Sequence, residues 1–398
     1  MASEPLVGGD ARNTRARVAA AALFLTNGAL FANLLPRFPE IKTDLAMSNA
    51  VYGAAVASFS AGALIAGPTA GALVRRFQSA RVAVATTVAL ATLILLAGMA
   101  STPLMFAAAL FAAGACDSVT DVAQNVNGLR LQRNYGRSII NSLHAIWAVG
   151  AIIGGLMGAG AIALDIPRGV HLGVAALIFC GVVAVAYPSL LHGPDHDDHP
   201  STHDRSGTKA GPMIYLTLLA LVGIAIAGAT VEDAGSSWAT LYLRDSLDAP
   251  GAVAVFGFVA LVGFMFLGRM AGDRLVDRFG ERAVARVGGV ITATGMGIAL
   301  AFPSVPGTIA GFAAAGLGVA TVIPAAMRAA DELPGLRAGT GLTILTWLMR
   351  AGFLGAPLLV GVVSDATDLR TGLLIVPAAG VLVIVLAAVL GTRRRPAT

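Results

Sequence analysis

The sequence is short of charge. Only 12% of its 398 residues are Asp, Glu, Lys or Arg, while 56% are hydrophobic. Soluble domains carry about 25% charged residues, so a water-soluble chain of this composition would lack the polar surface to cover itself. Lysine is nearly missing: Lys42 and Lys209 stand against arginine everywhere else. With abundant Ala and Gly, this points to a high-GC bacterial genome. Cysteine is scarce too. Cys116 and Cys180 sit inside apolar runs and read as small packing residues. No disulfide framework and no zinc-ligand spacing exists. There is no Gly-x-x-x-x-Gly-Lys-Ser loop, so nucleotide hydrolysis is not the energy source. There is no His-Glu-x-x-His, no Cys-x-x-Cys and no Ser/His/Asp order. An enzyme is therefore not expected, nor a metal or cofactor. The net charge of +5 forms short clusters between apolar runs rather than a patch, which excludes nucleic acid as a partner.

What is present is a series of apolar runs. Periodicity and breakers place them at 16–38, 49–74, 80–100, 104–129, 138–163, 169–190, 213–241, 251–272, 283–302, 306–328, 339–363 and 371–391. Each is close to the ~20 residues that cross ~30 Å of hydrocarbon as a helix. The expected fold is therefore an all-α membrane protein of twelve transmembrane helices, with the lipid bilayer as its solvent. The polar, basic segment Met1 to Val18 leads into a first span read as a retained helix rather than a cleaved signal. Glycines let neighbouring helices approach closely. The fifth span, with Gly150, Gly154, Gly155, Gly158 and Gly160, has the clearest small-residue face.

Orientation follows from the loop cations. Of the 27 Lys and Arg, five fall in one set of loops (Arg37, Lys42, Arg168, Arg244, Arg370), and Arg350 lies inside a span. The other set of loops and the termini take the rest, Arg269 included. Both termini are thus expected in the cytoplasm, in a bacterial inner membrane. The longest connection, 191–212, is rich in His and Asp. It reads as a solvated linker, with weak divalent-metal binding as the lesser alternative. It separates an expected bundle of six helices over 1–190 from another over 213–398.

The halves repeat. Gly71-Ala-Leu-Val-Arg-Arg-Phe-Gln follows the second span and Asp273-Arg-Leu-Val-Asp-Arg-Phe-Gly the eighth. A similar offset of about 200 residues superposes Trp147 on Trp347 and Asn33 on Asp233. Two parallel six-helix repeats are a known transporter plan.

On these loop motifs the chain resembles the major facilitator superfamily, over nearly its whole length. The family pattern is roughly Gly-x-x-x-Asp-Arg-x-Gly-x-Arg-Arg. The second copy fits it with Asp273, Asp277, Arg278, Phe279, Gly280 and Arg282. The first fits with Gly71, Arg76 and Arg81, but Arg75 stands where the acid belongs and Gln78 replaces the second glycine. The resemblance implies a cytoplasmic gate built on Gly71, Arg76, Asp273, Asp277, Arg278 and Gly280. Within the superfamily the chain resembles the bacterial YbjJ-like branch, itself reminiscent of fucose-type sugar–proton symporters. That likeness rests on the run from Asn27 to Lys42, on Asp121-Val-Ala-Gln-Asn, and on Gly136-Arg-Ser with Leu143-His-Ala-Ile-Trp.

Ionisable groups in hydrocarbon are costly and face a cavity or a partner. The fourth span holds Asp117 and Asp121 at i, i+4, with Gln124 and Asn125 one turn on, all on one face. These acids are candidate proton carriers; helix cross-linking is the alternative. Helical rise puts His144 of the fifth span at the depth of Asp121, so the two are expected as a coupling or gating pair. Glu232 and Asp233 are placed near the outer end of the seventh span, as a substrate or gate site or as a plain helix end with Trp238 in the interfacial belt. Asn33, Arg37 and Glu40 end the first span and are candidates to pair with the seventh. Arg350, about eleven residues into the eleventh span, calls for a carboxylate such as Asp117 or an anionic substrate group. Trp147 and Trp347 are candidates to hold a ring or sugar face, or to pack. The proton-coupling candidates are then Asp117, Asp121 and His144. The substrate-binding candidates are Asn33, Arg37, Asn125, Trp147, Glu232, Asp233, Trp347 and Arg350. The expected function is proton-coupled secondary transport of a small solute, sugar-like or an organic anion, with the two bundles rocking by alternating access in a monomer. A drug or metabolite efflux antiporter and a non-transporting sensor are the alternatives. Efflux is disfavoured because the fourth span lacks the arginine, and the fifth the Gly-Pro, of many antiporters.

Overall fold

Every apolar run of the sequence becomes a helix, because in lipid the backbone must satisfy its own hydrogen bonds. The computed structural model describes residues 7–135, 139–193, 212–333, 336 and 340–391, and among these there is no strand. Among the described residues, twelve helices are long and apolar enough to cross a membrane. They are α1 (Asn13–Asp44), α2 (Asn49–Phe77), α3 (Ser79–Gly98), α4 (Pro103–Asn134), α5 (Ser142–Ala163), α6 (Arg168–Ser189), α7 (Pro212–Asp245), α8 (Gly251–Gly272), α9 (Glu281–Ala301), α10 (Val305–Asp331), α11 (Thr340–Ala366) and α12 (Leu369–Val389). Most of the expected linker, residues 194–211, lies outside the described residues.

Local chemistry sets the breaks. In α1 a 3-10 turn occupies Leu35–Arg37, where Pro36 and Pro39 each remove a helical N–H donor. Ser304 caps α10 by accepting from the Gly307 N–H at 3.2 Å. Asp368 caps α12 by accepting from the Thr371 N–H at 2.6 Å, and that bond holds its carboxyl below the usual range. The surface is inverted relative to a soluble protein. Leu104, Leu177 and Val185 are 79%, 76% and 81% exposed, whereas Asn27, Asn33 and Gln124 are 4%, 1% and 1% exposed.

The chain forms two compact units. Unit 1 holds Met1–Arg37 and Ser58–Asp197; unit 2 holds Phe38–Ala57 and Asp198–Thr398. In unit 1, α1 packs on α5 and α3 on α4. In unit 2, α7 packs on α11 and α8 on α10. The hairpin of Phe38–Ala57 belongs to unit 2. There the N–H groups of Asn49 and Ala50 donate to the two carboxyl oxygens of Asp365 at 2.8 Å each. The repeat is visible in the packing. A Cβ on Gly114 would strike the carbonyl of Phe59, and one on the equivalent Gly316 would strike that of Leu261.

Candidate functional site

The polar face of α4 is built by helical spacing. Asp117, Asp121, Gln124 and Asn125 recur at i, i+4, i+7 and i+8, which stacks them along one stripe. Helix α1 brings Asn27 to this stripe, and α5 brings His144 and Trp147. Asn27 is the hub. Its Nδ2 donates to Asp117 Oδ1 at 2.8 Å. Its Oδ1 accepts from Trp147 Nε1 at 2.8 Å and from Gln124 Nε2 at 3.5 Å. The candidates named from the sequence did not include Asn27 as a site residue. Its signal in the sequence was one polar residue in a largely apolar span, at the head of the Asn27–Lys42 run.

Asp121 Oδ1 accepts from Gln124 Nε2 at 3.3 Å and from Asn125 Nδ2 at 3.0 Å. Because the Asn125 amide nitrogen is spent on Asp121, its oxygen is the acceptor, and His144 Nε2 donates to it at 3.1 Å. Asn125 therefore bridges Asp121 and His144. This tautomer assignment follows from the network. The His144 ring also meets Phe24 edge-on at 5.2 Å. Gln124 Oε1 is buried without a partner. The network links three helices of unit 1 through carboxylates, amides, an imidazole and an indole, groups that can exchange a proton or bind hydroxyls.

Asn33 and Arg37 lie elsewhere in unit 1, around a residue that was not a candidate. Arg37 Nε donates to His171 Nδ1 at 3.4 Å, and Arg37 Nη2 to the Ile166 carbonyl at 2.7 Å. The opposite ring nitrogen, Nε2, then carries the hydrogen and donates to Asn33 Oδ1 at 2.9 Å. Asn33 Nδ2 closes the chain on the Ala29 carbonyl at 2.8 Å. This chain fixes the broken end of α1 to α6.

In unit 2, Glu232 Oε2 lies 3.7 Å from Arg269 Nη2. Arg269, counted among the loop cations although the expected span 251–272 contains it, stands inside α8. Helix α7 continues to Asp245, so about thirteen residues, or ~20 Å of helix, lie beyond Glu232. Trp238 is not a belt residue. It is 0% exposed and packed edge-on against Tyr52 at 4.9 Å. Asp233 is buried beside it, with Ser237 Oγ donating to its Oδ1 at 3.4 Å. Trp347 is 58% exposed. Arg350 is half-buried, and among the described residues it makes no hydrogen bond or ion pair.

The two loop motifs adopt one backbone. Gly280 at φ 84 joins the helix ending at Phe279 to α9, and Gln78 at φ 74 joins α2 to α3. Arg76 sits over the Phe77 ring at 5.4 Å and Arg278 over the Phe279 ring at 5.3 Å. Gly71 is half-buried and Asp277 exposed. The side chain of Asp273 lies outside the described residues.

Twelve membrane-crossing helices, a six-plus-six repeat and polar groups gathered inside apolar faces define a polytopic membrane transport protein. The chain belongs to the Major Facilitator Superfamily, whose sequence profile matches residues 20–275. It is 31% identical to the uncharacterized transporter y4wD of Sinorhizobium fredii, over 93% of this chain and 97% of that one. A crystal structure of a point mutant of the nucleoside transporter NupG superposes with a TM-score of 0.77 at 14% identity, covering 94% of this chain and 99% of that one. The D-xylose-proton symporter superposes with a TM-score of 0.68 at 14% identity, over 94% and 96%. At these identities the likeness is one of fold. The relatives are transporters, and the chain is not an enzyme.

Proposed function

We propose that this transporter couples the movement of a small polar solute, sugar-like or an organic anion, to protons by alternating access. It works as a monomer in a bacterial inner membrane with both termini in the cytoplasm. The observation that supports this reading is the Asn27–Asp117–Asp121–Asn125–His144–Trp147 network. Asp121 there is held by amides, with no ion pair among the described residues. A carboxyl so placed is not committed to a salt bridge. Trp147 and the amides offer a face and donors to a hydroxylated solute. Arg350, a membrane cation without an anion among the described residues, favours a solute with a negative or strongly accepting group. The symporter of similar fold and the arginine bias of the loops agree with coupling and with orientation.

The test is ordered. A ligand-stabilisation screen of sugars, organic acids, nucleosides and amino acids on the purified protein first finds a binder, since binding raises apparent stability by mass action. The protein is then reconstituted in liposomes with a pH-sensitive dye inside. Adding the binder should drive proton uptake, and Asp117→Asn or Asp121→Asn should abolish that uptake. Solute accumulation without proton movement refutes coupling. A binder that stabilises but never crosses the membrane refutes transport.

A further inference from the structure

A second buried acid lies apart from the network of unit 1. Asp233 of α7 is 9% exposed. Its Oδ1 has one long bond, from Ser237 Oγ at 3.4 Å. Its Oδ2 is buried and has no partner. The neighbouring charges do not serve it. Glu232 precedes it on the same helix, about 100° around the axis, and takes Arg269 of α8 at 3.7 Å. The hairpin of Phe38–Ala57, packed on α7, brings Tyr52. That hydroxyl donates to the Ser237 carbonyl at 2.6 Å, and its ring stands against Trp238. Of the two adjacent acids, Glu232 has an ion pair among the described residues, the 3.7 Å contact with Arg269, and Asp233 has none.

An ionised carboxylate in this position would be a buried anion with a single weak bond. Burial of an unpaired charge costs several kcal/mol, whereas a neutral carboxyl bears only the smaller cost of a polar group. We propose that Asp233 is a second proton-binding site of the transporter, loaded while Tyr52 and Trp238 cover it. Proton and arginine then neutralise the two acids between them: Arg269 holds Glu232, and the proton holds Asp233. Release of the proton leaves a carboxylate that needs water or the guanidinium, so it requires the cover or the Glu232–Arg269 pair to change. The role in transport rests on the proton-coupled reading above; the bound proton rests on the geometry of unit 2.

Infrared spectra of the full-length protein in lipid nanodiscs test this at neutral and alkaline pH. A protonated carboxyl has a carbonyl stretch distinct from carboxylate bands. Wild type should show it at neutral pH. Asp233→Asn and Asp233→Ser should each lose it, whereas Asp117→Asn and Asp121→Asn should not lose that component. Absence of the band in wild type overturns the proposal without any variant. So does that same component persisting unchanged in a monodisperse Asp233 variant. Dye-reported proton uptake in liposomes is read separately. A band lost with Asp233 but no substrate-driven uptake would sink the coupling and leave the site. Uptake with no band would do the reverse.

Discussion

Gln78 and Gly280 hold the same backbone conformation in the two halves of the chain, φ 74 and ψ 142 at one, φ 84 and ψ 154 at the other. Each accepts the first turn of the next helix, with Val82 N–H donating to Gln78 O at 3.1 Å and Val284 N–H to Gly280 O at 3.2 Å. Glycine reaches this region freely; a residue with a Cβ is strained there by about 1–3 kcal/mol. Gln78 recovers part of this, because its Oε1 accepts from the Gly193 N–H at 3.3 Å. Such a bond contributes about 0.5–1.5 kcal/mol. Gln78→Gly is therefore expected to stabilise by about 1 kcal/mol, and Gly280→Gln to destabilise by about 1–3 kcal/mol. Denaturation midpoints in one detergent compare the two. A Gln78→Gly protein less stable than wild type would show that the Gly193 bond outweighs the strain.

The fifth helix offers a matched pair of glycines. A Cβ on Gly150 would run into the Leu25 carbonyl of α1, while Gly160 faces nothing within 4 Å. Gly150→Ala must push α1 and α5 apart, and overpacking of this kind costs about 1–3 kcal/mol. Gly160→Ala should be neutral or gain up to about 1 kcal/mol from helix propensity. Equal effects at the two positions in thermal unfolding would contradict the close approach at Gly150.

His171 is the centre of a directed chain, Arg37 to His171 to Asn33 to the Ala29 carbonyl. Arg37 and Asn33 are 5% and 1% exposed, so water cannot replace the ring. His171→Ala leaves one buried donor and one buried acceptor unmet, a loss of about 1–3 kcal/mol. His171→Gln should recover part of it, since one amide both accepts and donates. The thermal midpoints of the two variants give the answer, and an Ala variant as stable as Gln would remove the chain from the account.

The twelve spans and the repeat were legible because lipid imposes them: a bilayer demands ~20 apolar residues per crossing, and two homologous halves keep their breakers. Depth and partnership were not. Arg269 lies inside the expected span 251–272 yet entered the loop count, because charge counting does not see where the apolar slab ends, and its helix runs on to Phe279. Asn27 and His171 are single polar residues without periodicity, so nothing in the pattern joins them to Asp117 or Arg37. That Asp121 and His144 share a depth was legible from rise per residue, and that Asn125 shares the face of Asp121 from helical spacing. Their order was not, because it depends on which end of an amide faces which side chain.

That order makes the last prediction. Asn125 gives its nitrogen to Asp121 and its oxygen to His144, so the imidazole senses the carboxyl through one amide. Removing either Asn125 or His144 breaks the same link. If Asn125→Ala and His144→Ala each lower substrate-driven proton flux about tenfold, the double variant should lose about the same tenfold and not a hundredfold, because residues in one network are not additive. Asn125→Asp is the sharper probe. It keeps the acceptor for His144 but replaces the donor to Asp121 with a second acid. Like charges at i, i+4 disfavour joint ionisation, so the pH profile of transport should move toward alkaline pH. An unchanged profile with Asn125→Asp, together with multiplicative losses in the Ala pair, would separate His144 from Asp121.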